Sequence, residues 1–282
     1  MKIKHNLDLT EYNSYHIHST AETAYFPETI EEIKKLADSV NPIIIGGGCN
    51  VIFAKEYYTQ PFMFIRDNYS GITQNGDILV VKAGTDLKVL SEYAKEHSLS
   101  GVEYYYDIPG CVGGATIMNA GCNGRSFSDL LEKVTFYDIE KAAISTMTRE
   151  EMQFEYRGNI LKNMKVVVLE VELRLQKASK AEIAILMESN KNNRWAKQPR
   201  NYPSAGSVFK RPVGHFVGPM ITEVGLKGYR IGDAMISNKH AGFIVNLGNA
   251  SANDILSLIH QAQEKVLAMF GVELELEQRI IL

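Results

Sequence analysis

Asp107-Ile108-Pro109-Gly110-Cys111-Val112-Gly113-Gly114-Ala115-Thr116-Ile117-Met118-Asn119-Ala120-Gly121 gathers four glycines and a proline into fifteen residues. Glycine serves where the backbone turns through positive φ or where another group must approach it closely, and each one costs conformational entropy on folding. A packed core has no need of such a run. Exposed N–H groups in tight turns are what a protein presents to phosphate oxygens. A tight loop between two strands is the competing reading of the stretch taken alone, and it stays open on these residues.

A second stretch has the same character. Pro42-Ile43-Ile44-Ile45 reads as a buried strand that runs into Gly46-Gly47-Gly48-Cys49-Asn50, before Val51-Ile52-Phe53 resumes the apolar pattern. Consecutive glycines at a strand end favour close backbone approach by a ligand.

The chain has 282 residues, 45% hydrophobic and 22% charged, which suits a globular protein of one large or two ordinary domains. The start, Met1-Lys2-Ile3-Lys4-His5-Asn6-Leu7-Asp8, is not followed by an apolar leader segment. No apolar run approaches the roughly 20 residues of a membrane span. Cys49, Cys111 and Cys122 are odd in number and each adjoins a glycine, as expected of free thiols in a reducing compartment. A cytoplasmic protein is therefore expected. Neither the cysteines nor the seven histidines have metal-ligand spacing, so no metal site is expected.

Charge is distributed unevenly. Lys191 to His240 carries nine Lys and Arg against two acids, a local +7, while the other residues carry 21 basic against 31 acidic side chains. A positive segment on an acidic body suits an anionic ligand, with a solvated basic face as the plainer reading. Nucleic acid is disfavoured, because the whole chain is mildly acidic and lacks an aromatic-interleaved basic motif.

Helical and strand periods alternate along the chain. Thr29 with Glu32 reads as a capping box before the stripe Ile30, Ile33, Leu36 and Ala37. Phe62 to Ile65, an Asn75-Gly76 turn and Ile78 to Val81 read as hairpin strands. A helix is expected from about Asp86, with Leu87, Leu90 and Ala94 on one face and an end near Gly101. Strands follow near Val134 to Tyr137 and over Val166 to Leu175, with a capping box at Thr148 and Glu151 between them. Ser179 and Glu182 open a helix bearing Ile183 and Leu186. Ser251 to Asp254 opens a longer one bearing Ile255, Leu258, Ile259, Ala262, Val266 and Met269, stopped at Gly271. In the closing strand Val272, Leu274 and Leu276 face one way and Glu273, Glu275 and Glu277 the other. The fold class is α+β.

An ordered set of further motifs joins the two glycine loops. It comprises Asn13-Ser14-Tyr15, Tyr156-Arg157, Tyr202-Pro203-Ser204-Ala205-Gly206-Ser207-Val208-Phe209-Lys210-Arg211-Pro212, Gly228-Tyr229-Arg230-Ile231-Gly232, Ser237-Asn238-Lys239-His240-Ala241-Gly242-Phe243-Ile244-Val245-Asn246 and Glu277-Gln278-Arg279-Ile280-Ile281. From about residue 12 to the C-terminus this set resembles the UDP-N-acetylenolpyruvoylglucosamine reductase (MurB) family, in its shorter second type.

The resemblance implies a two-subdomain FAD-binding region of the vanillyl-alcohol-oxidase type over residues 1–175, divided at about residue 55. An α+β substrate-binding domain would follow over 176–282, its C-terminal strand returning to the active site. Gly46, Gly47, Gly48, Cys49 and Asn50, together with Ile108, Pro109, Gly110, Gly113, Gly114, Asn119, Ala120 and Gly121, would hold a noncovalent FAD. NADPH would be the reductant and a UDP-sugar enolpyruvyl ether the substrate, taking turns in one cleft of a monomer. Ser207 matches the family's proton donor to C2 of that ether. Arg157 and Glu277 match the groups that bind and polarise its carboxylate, and Glu277 would have to hold or share a proton there. Tyr156, Lys210 and Asn246 match positions near the substrate, and Arg194 and Lys197 lie in the basic segment suited to the diphosphate. Considered singly, Ser207 reads as a turn serine, Arg157 as a surface ion pair and Glu277 as a solvated strand glutamate. Their joint motif positions distinguish them.

The pattern is departed from in four places. Gly158-Asn159 stands where a serine is usual two residues after the arginine, His16-Ile17-His18-Ser19 replaces a glycine-containing run, Cys122-Asn123 replaces alanine-tyrosine, and Cys49 replaces serine. Another FAD-linked oxidoreductase or oxidase on the same fold, and a noncatalytic sugar-nucleotide-binding homologue, remain the alternatives.

Overall fold

Short-range signals set most of the helices. A computed structural model describes residues 1–282. Thr29 caps α1 (Ile30–Val40) by accepting the Glu32 N–H at 3.2 Å, while the Glu32 carboxylate turns to the Glu28 N–H and the N-terminal ammonium, so the capping box is half made. Asp86 caps α2 (Leu87–Glu96). That helix stops well before Gly101, because Ser98 takes a left-handed φ of 58° and Leu99–Ser100 pairs with Gln176–Lys177. The opening glycine stretch contains α3 (Val112–Ile117), and Ser179 with Glu182 opens α4 (Lys180–Lys197). On α4 Ile183 and Met187 are buried, whereas Leu186 is exposed. Thr148 and Glu151 exchange both capping-box bonds, but a turn follows rather than a helix.

Two compact units emerge, and they are interleaved along the chain. The first comprises 1–5, 23–47 and 60–192, and the second 6–22, 48–59 and 193–282. The consecutive partition expected at residues 55 and 175 does not coincide with them, because strands distant in sequence complete each core.

In the first unit an antiparallel sheet runs in the order Ala143–Thr148, Leu131–Asp138, Val166–Arg174, Ile78–Lys82, Ile72–Asn75. Its register sets Val134 opposite Val171 and Val171 opposite Val81, all buried. Leu87, Leu90 and Ala94 of α2 and Val112 and Ala115 of α3 belong to the same core. Parallel pairing of Ala24–Tyr25 and of Ile43–Ile45 with the Phe62–Phe64 strand completes the unit.

In the second unit α5 (Val217–Glu223) precedes an antiparallel sheet of Arg230–Ile231, Ala234–Ile236 and Ile244–Asn246. Across it packs α6 (Ala252–Phe270), capped by the reciprocal Ser251–Asp254 box and ended by Gly271 at φ 65°. Met269, expected on its apolar stripe, is exposed. The closing strand is shorter than its alternation suggests: only Arg279–Ile281 is regular, parallel to Val51–Phe53. Residues 275–277 instead form irregular pairs with the segment 208–210.

Candidate active site

Gly46 and the opening stretch meet in the first unit. A Cβ on Gly46 would lie 2.6 Å from Cys111 Sγ, so the two loops touch through a position that tolerates no side chain. The Gly47, Gly113 and Gly114 N–H groups lie on the same thiol, and burial pushes the Cys111 thiol up.

The glycines of 107–121 serve different ends. Val112 and Gly113 donate their N–H groups to the carbonyls of Thr85 and Ala83, and a Cβ on Gly113 would stand 3.0 Å from that of Ala83. Gly113 is therefore a packing glycine. The N–H groups of Ala115, Met118, Asn119 and Ala120 close the turns of α3. Gly114 is exposed, and Gly110, at φ 135°, has open space where a side chain would stand. A cradle for phosphate thus narrows to Gly110 and Gly114 beside Gly46, where exposed glycine backbone fits a pyrophosphate without steric obstruction.

Arg157 sits near this stretch in the same unit. It occupies the turn of a tight hairpin at φ 61°, closed by the Glu155 N–H to the Gly158 carbonyl at 3.0 Å and the Gly158 N–H to the Glu155 carbonyl at 3.3 Å. Its guanidinium donates to the Gly121 carbonyl at 3.2 Å and lies 4.9 Å from the exposed Tyr156 ring. Asn119 is buried, with its amide donating to the Glu155 carbonyl and accepting from the Ser128 N–H. Those bonds tie the Asn119 side chain to the hairpin.

Gly48, Cys49 and Asn50 belong to the second unit, apart from Gly46 and Gly47 in the division of the chain. Gly48 has φ 70°, and a Cβ there would fall 2.0 Å from the Tyr12 carbonyl oxygen. Asn50 donates its side-chain amide to the Glu277 carbonyl at 3.0 Å. That bond fixes the backbone of Glu277.

In that unit Glu277 pairs with the residue that follows Ser207. The Glu277 N–H donates to the Val208 carbonyl at 2.9 Å, Phe209 bridges Leu276, and Ser207 bridges Phe243 on its other side. Gly206 supplies the left-handed turn, φ 79°, that leads into Ser207. Buried Gln278 pins this turn, donating to the carbonyls of Ala205 at 3.1 Å and Gly206 at 3.3 Å while accepting from the Tyr15 hydroxyl at 3.0 Å. Burial raises the Tyr15 phenol well above its usual range, so it stays a neutral donor.

The remaining expected residues divide. Asn246 is buried, donates to the Tyr15 carbonyl and accepts from the Gly248 and Ala250 N–H groups. Lys210 pairs with Glu275. Arg194 bonds Gln198, and Lys197 is exposed. Neither borders the cleft of about 490 Å³ that opens among Trp195, Pro199, Arg200, Tyr202, Ser237 and Lys239. Within it the Arg200 guanidinium lies 5.9 Å from the Trp195 ring and the Lys239 ammonium holds the Trp195 carbonyl at 2.6 Å. Two cations and two aromatic rings suit an anionic ligand that carries a planar base. The +7 segment was the sequence signal for this cleft, but the charge count could not select Arg200 and Lys239 from its nine cations.

Residues 22–145 match the model of an FAD binding domain, and residues 198–281 match the C-terminal domain of UDP-N-acetylenolpyruvoylglucosamine reductase. A protein of that name from Syntrophomonas wolfei is 37% identical over 99% of this chain and 95% of its own length. The chain belongs to the UDP-N-acetylenolpyruvoylglucosamine reductase family. A relative from Francisella tularensis is 38% identical over 98% of this chain and 99% of its own. The crystal structure of UDP-N-acetylenolpyruvylglucosamine reductase from Thermus caldophilus superposes with a TM-score of 0.85 at 33% identity, covering 99% of both chains. The α+β class and FAD as cofactor follow for this family member. No helix of the chain is long and apolar enough to cross a membrane.

Proposed function

We propose that this chain reduces the enolpyruvyl ether of UDP-N-acetylglucosamine to the lactyl ether of UDP-N-acetylmuramate, a step in making peptidoglycan precursors. FAD, when bound, supplies the carrier that takes hydride from NADPH and delivers it to C3 of the enolpyruvyl group. Gly46, Gly110 and Gly114 give the FAD pyrophosphate its backbone contacts, supported by the meeting of their loops at Cys111. Hydride arrival at C3 builds negative charge at C2 and on the adjoining carboxylate, so the protein must disperse that charge and provide a proton. The Arg157 guanidinium meets the carboxylate through its planar fork. Ser207 gives its hydroxyl proton to C2, and Glu277 polarises the carboxylate beside it.

The observation that supports this reading is the backbone pairing that brings Glu277 against Val208, the residue after Ser207, with Gln278 locking the turn in front of the serine. The cleft of Trp195, Arg200, Tyr202 and Lys239 receives the nucleotide portion of NADPH and then that of the substrate, in turn. A cytoplasmic monomer completes the proposal, in keeping with three free cysteines.

Ser207→Ala tests the assignment. The variant is expected to remain yellow and to be bleached by NADPH at the wild-type rate. Reoxidation by the enolpyruvyl substrate should slow by on the order of 10² to 10⁴, the usual worth of a positioned general acid. Equal damage to the two half-reactions, followed by stopped-flow absorbance, rejects a proton-donor role.

A further inference from the structure

Arg157 poses a positioning problem. A left-handed backbone is unfavourable for an arginine, and its long side chain can be aimed only if the turn beneath it is fixed. Two buried asparagines supply that fixing. Asn159, 4% exposed, donates to the Thr116 carbonyl at 2.7 Å and the Ile117 carbonyl at 3.1 Å while its Oδ1 accepts the Leu161 N–H at 3.0 Å. Those carbonyls lie at the end of α3, so one side chain ties the helix end to the residue after the hairpin. Asn119, 5% exposed, holds the other side by donating to the Glu155 carbonyl at 2.9 Å. The hairpin 155–158 is thus gripped on both flanks, and Arg157 reaches back to the Gly121 carbonyl of the same stretch.

We propose that Asn119 and Asn159 are positioning residues for Arg157, clamping its hairpin onto the end of the glycine-rich stretch so that the guanidinium is held ready for the substrate carboxylate. The Asn159 amide reaches two carbonyls at once, which one hydroxyl proton cannot do. The proposal rests on the assignment of Arg157 to the carboxylate made above.

The test uses the full-length, FAD-loaded protein. Asn159→Ala should keep its flavin content and its reduction by NADPH within about twofold, while reoxidation by the enolpyruvyl substrate slows by about 10- to 100-fold, the scale of a misplaced catalytic group. Amide exchange at Tyr156 to Gly158 should accelerate, and Asn159→Ser should recover part of the rate. In an Arg157→Ala background, adding Asn159→Ala should cost nothing further, because residues that act through one group are not additive. Equal slowing of both half-reactions, full additivity with Arg157→Ala, or unchanged reoxidation overturns the proposal. Should Asn159→Ala fail to fold, Asn119→Asp keeps the acceptor for the Ser128 N–H but sets an oxygen in place of the amide donor to Glu155, and is read against the same outcomes. Failure of both to fold makes the pair scaffolding and overturns it as well. A wild-type enzyme that the enolpyruvyl substrate does not reoxidise defeats the proposed function itself, whereas a normal wild type with indifferent variants defeats only the clamp.

Discussion

His240 sits in the turn whose next strand pairs with Ser207, half-buried with its ring 4.9 Å from Phe243 at 67°. Its Nδ1 accepts the Gly242 N–H at 3.1 Å, which a protonated nitrogen cannot do, and burial lowers its pKa below the ordinary 6.5. Between the folded and unfolded pKa values the unfolded chain binds more protons, so stability rises with pH through that window. The protein should therefore lose stability as pH falls below about 6.5, an ordinary histidine value. Urea unfolding of His240→Gln should lack that part of the slope. At this scale the contiguous motifs singled out Ser207, Arg157 and Glu277 in the sequence. The long-range bonds of Gln278, Asn159 and Asn50 were not legible there, since an amide that bonds a carbonyl far along the chain leaves no local pattern.

Glycine loops act at the scale of the element, and three glycines do so for three reasons. Gly46 is small because the Cys111 sulfur occupies the space of its side chain, Gly113 because α3 presses on Ala83, and Gly48 because its left-handed turn meets the Tyr12 carbonyl. These reasons separate experimentally. Gly46→Ala should weaken FAD retention, and Cys111→Ala in the same chain should restore it by removing the sulfur that the new methyl meets, as read by flavin released on gel filtration. Gly48→Ala, which meets backbone, should gain nothing from Cys111→Ala. Sequence alone marks all of these glycines as places of close approach. Which of them faces a ligand and which faces the protein depends on what the fold brings alongside.

At the scale of the molecule, the last residues complete a core begun near the start. Arg279–Ile281 lies parallel to Val51–Phe53, the Tyr58 hydroxyl donates to the Ile281 carbonyl at 2.7 Å, and Ile281 is buried. Removing residues 279–282 should lower stability by on the order of 3 kcal/mol, from lost apolar burial and unpaired backbone in the 51–53 strand. A lower urea midpoint checks this, and the enolpyruvyl half-reaction should suffer with it because Glu277 loses its anchor. The periods of α1, α2 and α6, their caps, the buried strands and the order of the motifs follow from the sequence itself, because each depends on residues a few positions apart. The interleaving of the two units, the pairing of 208–210 with 275–277 and the gripping of Arg157 by two asparagines were decided only by the tertiary structure. Those contacts join residues tens to hundreds of positions apart, and their geometry arises from packing that no local pattern encodes.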